Sequence, residues 1–573
     1  MPDIRVIVGL DFGTTYSGYT YCHREATEDI MYTTNVTWPN AGDNISYKTN
    51  TVLRYDDSLR NVESWGQSAL SKPPDRRVAV NKREKVLELF KLHLGNLSDE
   101  LKEKYKLTIN YKVAITDYLR EIGKHIKDTI KDVSDEARWE IDFMENVLLV
   151  LTVPAEYTQK EKATMRKCAL DAGLIDDLDS KKLEFTTEPE AAAIYCKDNV
   201  LKEHDLATSG TIFMIVDCGG GTVDLTTRKL LNENQLGEIT ERAGDYCGSS
   251  FIDGAFLDHL RTILDNHPMD LLKENYYGQM QYMVQNFCQN VKFEFTGEDL
   301  NFSYEMDLNE VSPVISQYVS DEVRKRMEEA EWLIKLDYET IKSMFDPVVE
   351  RILRMIRVQL ENCKEKGSKC SAMLLVGGFS QSEYLQKRIR DEFSDHEYHR
   401  GINISVPINP VAAVSRGAAI YGASFANSVN DMDDDEMDGL MFVIDSRVLR
   451  HTYGIKVLNP EDSTFRFHAM ANKGTMANIN EEFTANVRPS FPFQKQGVFE
   501  IYFIDKYEHE ANLGDPRMKL LGRLKIDWPD KHLGINRPTT FKLAFGKMEI
   551  TARASNDLNG QNYHTSFETD IED

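Results

Sequence analysis

From residue 4 to about 427, runs of consecutive apolar residues alternate with segments in which apolar residues recur every three or four positions. The runs predict buried strands and the periodic segments predict amphipathic helices, so the pattern predicts an α/β architecture. Thr108 to Asp132 carries Ile115, Leu119, Ile122, Ile126 and Ile130 at helical spacing, which predicts one long helix. Asp346-Pro347 predicts a helix start, a capping acid followed by proline at the first helical position. Val348, Ile352, Ile356 and Leu360 mark the buried face of that helix. Asn409-Pro410 predicts a second start of the same kind. The residues after it, Ala412-Ala413-Val414 to Gly417-Ala418-Ala419, are small enough for close approach to a neighbour.

Beyond about 446 the period becomes two. Phe465, Phe467 and Ala469 alternate with Arg466 and His468, and Phe541, Leu543 and Phe545 with Lys542 and Ala544. Met548, Ile550 and Ala552 alternate with Glu549, Thr551 and Arg553. This predicts an antiparallel β-domain. Between the two regions, Asp431 to Asp438 holds six acids in eight residues and predicts a solvated linker. An apolar stretch, Leu440-Met441-Phe442-Val443-Ile444, follows it at once.

The chain has 573 residues and a net charge of −25. That balance argues against a sequence-independent nucleic-acid binder. No apolar stretch approaches the roughly 18 residues of a membrane span. Val147 to Val153 is the longest such run, and Pro154 ends it. The first residues lack the apolar region of a signal peptide. The eight cysteines are scattered with no Cys-x-x-Cys pair, which predicts reduced thiols and a cytoplasmic or nuclear location.

Candidate chemistry lies in a turn that occurs twice. Val8-Gly9-Leu10-Asp11-Phe12-Gly13-Thr14-Thr15 and Ile215-Val216-Asp217-Cys218-Gly219-Gly220-Gly221-Thr222 are each an apolar run, then Asp, then Gly and Thr. Glycines let the backbone approach an anion, threonine hydroxyls bond phosphate oxygens, and each Asp can hold a metal-bound water. Facing each other, the two turns make a clamp for a nucleotide triphosphate. Alone, Asp11-x-Gly13 reads equally well as an ordinary β-turn. Three further motifs join the pair: Leu374-Leu375-Val376-Gly377-Gly378-Phe379-Ser380, Leu151-Thr152-Val153-Pro154-Ala155, and Thr187-Glu188-Pro189-Glu190-Ala191-Ala192-Ala193.

At these residues the chain resembles the actin-like ATPase superfamily and, within it, the heat shock protein 70 family. The resemblance runs from residue 4 to about 427 and, more weakly, through the β-domain. It implies an α/β actin-like, duplicated ribonuclease H-like domain of two lobes, followed by an antiparallel β-sandwich. The implied divisions are 1–204, 205–427, a linker at 428–445, and the sandwich at 446–573. No residues are left for a helical lid, which is similar to the branch typified by heat shock protein 12A-type proteins. The implied cofactors are ATP or ADP and magnesium, with Asp11 and Asp217 holding the metal through waters. Gly13, Thr14, Thr15 and Tyr16 match the first phosphate loop. Gly219, Gly220, Gly221 and Thr222 match the second, and Gly377 and Gly378 the adenosine side. Glu188 and Pro154 match the pair that links nucleotide state to the interdomain surface. Lys91 is the candidate for the lysine that orients the attacking water; a surface lysine on an amphipathic helix gives the same pattern.

The departures are specific. Of the family's Glu-x-x-Lys-Arg helix only Lys292 is kept, in Gln289-Asn290-Val291-Lys292-Phe293, which leaves Phe293 as a candidate to stack on adenine. Glu184 stands where a basic residue often serves J-domain partners, so the resemblance does not extend to a standard J-domain partner. The implied function is a slow ATP-hydrolysing chaperone that binds unfolded or extended polypeptide, with a nucleotide-exchange factor as a further partner. Two alternatives stay open: a nucleotide-binding scaffold without hydrolysis, and a small-molecule kinase on the same fold.

Overall fold

The first apolar run, Val6–Phe12 (β1), is buried at every position and turns straight into Tyr16–His23 (β2). The strands pair antiparallel with Asp11 opposite Gly18. Val147–Val153 (β3), equally buried, lies parallel beside β1, and Leu183–Thr187 (β4) lies parallel beside β3. Strands apolar on both faces need cover on both, and helices provide it. Tyr111–Ala137 (α1) is the long helix expected over 108–132, and its five isoleucine and leucine positions all enter one core. Gln159–Asp171 (α2) lies on the same face, opened by a capping box between Thr158 and Glu161. Glu188–Cys196 (α3) covers the opposite face.

The pattern then repeats. Ile212–Cys218 (β5) forms a hairpin with Val223–Leu230 (β6), with Asp217 opposite Asp224. Leu236–Glu238 (β7) extends that side. Ala372–Val376 (β8) lies parallel beside β5, and Asn403–Ser405 (β9) beside β8. One sheet therefore runs β2-β1-β3-β4 and the other β6-β5-β8-β9, each a hairpin followed by two parallel strands. The second sheet is covered by Ser250–Leu264 (α4) and Tyr338–Glu365 (α5). Between the sheets lie α3 and Ala413–Val429 (α6), sharing one core with Ile7 and Val150 from the first sheet and Phe213, Ile215 and Leu374 from the second. The expected close approach is found: a Cβ on Gly417 would stand 1.7 Å from the Ala191 carbonyl oxygen.

The structure, a computed structural model, describes residues 3–566 except 25–31, 40–44, 72–84, 96, 138, 233–234, 395–401, 430–443, 459–463, 479–480, 507–512, 514, 546–548 and 559–560. The acidic run 431–438, the apolar residues 440–443 and Met548 lie outside the described residues. Two helix starts differ from expectation. Helix α5 begins at Tyr338, capped by the Asp337 side chain, which accepts from Thr340 N at 2.9 Å. Pro347 therefore sits inside the helix, and Asp346, instead of capping, pairs with Lys342, Tyr384 and Arg388. The predicted face of Val348, Ile352, Ile356 and Leu360 is nevertheless buried. Helix α6 begins at Ala413, because Ala412 N donates to Asn409 O and closes Asn409-Pro410 into a turn ahead of it.

Beyond residue 445 the regular elements are Ser446–Val448 (β10), Thr452–Leu458 (β11), Phe465–Ala471 (β12), Met476–Asn478 (β13) and Glu482–Val487 (β14), then Gln496–Ile504 (β15), Lys519–Asp527 (β16), Thr539–Ala544 (β17), Thr551–Asn556 (β18) and Asn562–Ser566 (β19). Two four-stranded antiparallel sheets, β12-β11-β15-β16 and β14-β17-β18-β19, enclose a core of Phe499, Ile501, Ile526, Phe541 and Leu543. Among the described residues here, the one helical element is the short 3-10 turn Lys531–Leu533. Ile444, ahead of β10, is fully buried and bridges Leu236 in parallel, which adds the end of the linker to the edge of β7. All eight cysteines are unpaired. No helix among the described residues is long and apolar enough to cross a membrane.

Candidate functional site

The two hairpin turns touch each other. In the first, Gly13 is required because a Cβ there would stand 2.2 Å from Tyr16 O. In the second, Gly220 and Gly221 abut the first turn: Cβ atoms would fall 1.9 Å from Thr15 Oγ1 and 2.6 Å from Thr14 Oγ1. Only bare backbone fits there. Gly219 N closes the second turn by donating to Thr222 O at 3.0 Å. The amides of Gly248, Ser249 and Ser250 donate to the carbonyls of Gly221, Gly219 and Gly220, so the loop that opens α4 holds the turn in shape.

Charged side chains converge beneath the turns. Lys91 is buried in a short 3-10 helix, Phe90–Leu94, and not on an exposed helix face. Its Nζ donates to Phe12 O and to Glu188 Oε1, the latter at 2.7 Å. Glu188 is the first residue of α3, where a helix N-terminus favours negative charge. Burial raises the Glu188 pKa; Lys91 opposes this and Asp11 reinforces it. Asp217 is pushed well above the usual carboxylate range, first by burial and then by Glu188 and Asp11. Asp224, its cross-strand partner, is pushed up to about 7 by burial and then by Glu188. A second lysine, the part-buried Lys48, lies 2.6 Å from Asp11 Oδ2.

The third glycine motif ends at the same place. Gly377 has φ +84°, and a Cβ on it would lie 2.4 Å from Asp217 Oδ1. Gly378 faces open space. Lys292 lies on the other rim, near Tyr16, but its ammonium is already engaged by Asp253 at 2.6 Å and Ser249 O at 3.1 Å. Phe293 is 60% exposed. The phosphate-side residues expected from sequence are thus brought together, while Lys292 is tied into α4.

A family model described as Hsp70 protein matches residues 121–445. The chain belongs to the Hsp70 family. Heat shock 70 kDa protein 12A of Homo sapiens is 24% identical, over 96% of this chain and 89% of its own length. Heat shock 70 kDa protein 12B of Homo sapiens is 22% identical, over 91% and 84%. Chaperone protein DnaK of Elusimicrobium minutum is 25% identical over 63% of this chain and 50% of its own length. The front of the chain is therefore an Hsp70-type nucleotide-binding domain on the actin-like ATPase fold.

Hsp70 proteins bind ATP or ADP with magnesium, and the residues of this Hsp70 chain fit that pair. Asp11 and Asp217, both buried, and the part-buried Glu188 crowd three carboxylates into one site, and burial with neighbouring acids works against ionisation of Asp217 and Glu188. A hydrated divalent ion relieves such crowding without direct protein ligands. The glycine cradle between the turns leaves backbone, not side chain, for an anion to meet.

From this site a buried path leads to the β-domain. Ala155 N, next to Pro154, donates to Asp224 Oδ1 at 2.8 Å, and Ala155 O accepts from Arg450 Nη1 at 3.0 Å. One helical turn begins with Glu188 beside Lys91 and places Glu190 at the β-domain, where Arg447 grips both of its oxygens at 3.1 Å. Arg228 bridges Glu190 and Glu238 at 3.2 and 3.3 Å, and Val448 N donates to Glu238 at 2.6 Å. Glu190, Glu238 and Arg228 have no solvent exposure, and charge pairing holds the Glu190 carboxyl far below the usual range against burial. At the rim, Arg166 of α2 pairs with Glu549 at 2.6 Å. Sequence reading missed Lys48, Asp224, Glu190, Arg228, Glu238 and Arg447. One signal was present: Glu190 directly precedes the wholly apolar run Ala191 to Ile194 of α3.

Proposed function

We propose that this chain is a slow magnesium-dependent ATPase of the Hsp70 chaperone type, whose β-domain binds extended polypeptide and responds to nucleotide state. The observation that carries this reading is the single helical turn from Glu188, bonded to Lys91 under the phosphate turns, to Glu190, bonded to Arg447 of the β-domain. Polypeptide binding is supported by the exposed aromatic residues Phe491 and Phe493, 65% and 80% exposed. They lie in the loop between β14 and β15, which Arg537 braces by donating to Pro492 O and Gln494 O at 2.8 Å each. In this reading residues 1–204 and 205–427 are the two halves of the ATPase and 446–573 the polypeptide-binding part.

Each residue has a defined task. Thr14, Thr15 and the Gly219–Thr222 turn bind and orient the phosphates. Lys91 positions the attacking water, and Glu188 fixes the lysine. Asp11 and Asp217 would hold magnesium through waters, and Asp224, pushed up to about 7, can hold a proton behind them. Magnesium, when bound, supplies neutralising charge on the phosphate oxygens. Hydrolysis needs in-line placement and charge more than a covalent nucleophile, and this set provides both.

A second reading, a scaffold that binds nucleotide with little hydrolysis, is favoured by one observation: Lys292 is committed to Asp253, and Phe293 stands in solvent. Phosphate release from ATP, measured with and without an unfolded polypeptide, separates the readings. Stimulated release supports the chaperone, and no release above background supports the scaffold. Release that requires a small-molecule acceptor points to a kinase.

A further inference from the structure

Lys48 has no part in the scheme above, yet it sits at its centre. It lies just before the short strand Thr49–Asn50, which pairs with β2 so that Ser17 faces Thr49 and Tyr16 faces Asn50. That pairing sets Lys48 against Gly18, the cross-strand partner of Asp11. A Cβ on Gly18 would stand 2.9 Å from Lys48 Cγ and 2.5 Å from Tyr47 O. Glycine at 18 therefore opens the passage by which the lysine stem reaches the acid. The contact is made in a dry place: Nζ lies 2.6 Å from Asp11 Oδ2, with the two side chains 12% and 3% exposed. Asp217 and Glu188 are the next acids acting on this ammonium. Lys91 cannot do this work, because Phe12 O and Glu188 hold it elsewhere.

The geometry points to Lys48 as a tethered cation of the nucleotide site, a positioning residue that competes with divalent metal for Asp11. Buried carboxylates demand a compensating charge, and a lysine ammonium is a compact one with three donors. With the lysine in place the acids are partly neutralised before any metal arrives. A polyphosphate then meets a site already carrying positive charge, and its affinity depends weakly on magnesium. This inference rests on the nucleotide-binding reading above.

The test is ADP affinity of the full chain, by calorimetry, in magnesium and in EDTA. For the wild type the two values are expected to differ by less than about tenfold, and a larger difference overturns the proposal. For Lys48→Met the magnesium dependence is expected to grow at least about tenfold over the wild type, and an unchanged ratio overturns it. A second measurement needs no variant: manganese titrated into nucleotide-free wild type, followed by electron paramagnetic resonance. Binding weaker than about 1 mM is expected, and tighter binding means that Lys48 does not compete for Asp11. If the wild type binds no ADP under either condition, the nucleotide reading falls and this inference falls with it. If ADP binds normally and only the Lys48→Met result fails, the nucleotide reading stands alone.

Discussion

Glu190 and Arg447 stand 257 positions apart in the chain and meet as a two-pronged ion pair with both guanidinium contacts at 3.1 Å. One belongs to the first turn of α3 and the other to β10. Neither charge reaches water, and removing Arg447 leaves the buried Glu190 to Arg228. Breaking a buried pair costs about 3–5 kcal/mol where nothing else compensates the remaining charge, and the Arg228 contact makes the cost here smaller. Arg447→Met is expected to release the β-domain from the nucleotide-binding domain, seen as a larger radius of gyration in solution scattering. ADP affinity should change by less than about threefold, because the cleft itself is untouched. A compact Arg447→Met protein would show that the pair does not hold the two parts together.

Lys91 is expected to matter for turnover and not for binding. Its ammonium is fixed between Phe12 O and Glu188, and its stem is buried. Lys91→Ala should lower single-turnover phosphate release by about 100-fold or more, the usual scale for a lost charge-positioning group. Its dissociation constant for ADP should stay within about fivefold of the wild type. Equal losses in both quantities would place Lys91 in substrate binding alone.

Lys162 gives a pH dependence with a definite sign. It is buried on α2, and its amine is pushed down to about 7 from 10.5, first by burial and next by Arg242. The folded protein therefore binds fewer protons than the unfolded chain between those values, and this lysine's contribution to stability rises with pH across that window. Below about 7 the buried charge is carried at full cost. Lys162→Met should raise the melting temperature more at pH 6 than at pH 9. A gain independent of pH would mean that the residue stays charged throughout.

The exposed pair Phe491 and Phe493 offers a clean surface test. Replacing both with serine should weaken binding of an unfolded polypeptide by about tenfold, as loss of aromatic anchors does. Exposed substitutions rarely change stability by more than about 0.5 kcal/mol, so the melting temperature should hold. Retained polypeptide affinity would move the binding surface elsewhere on the sandwich.

What the sequence reveals and what it hides divide along one line. The two turns that meet are legible because apolar strand, acid, glycine and threonine are adjacent in the chain, and local order is all the motif needs. Long helices with a regular apolar face, such as α1, are legible for the same reason. Lys48 is not, since its role depends on a strand pairing that brings it over Gly18. Arg447 is not, since nothing near it in sequence carries the opposite charge it meets. Asp346-Pro347 misleads because acid-proline is an authentic helix-opening pair, whereas here Asp337 caps the helix earlier and the chain runs on through the proline.

The contact between Gly417 and the Ala191 carbonyl has a mechanical meaning. With no side chain between them, α3 and α6 touch backbone to backbone and cannot slide or tilt independently. The helix that starts in the cleft and the helix that carries the chain out toward residue 430 form one crossbeam. In the proposed reading, a signal that enters at Glu188 leaves as a movement of α3 and α6 together. Enlarging that single glycine should uncouple the two ends of the molecule while leaving both chemically complete.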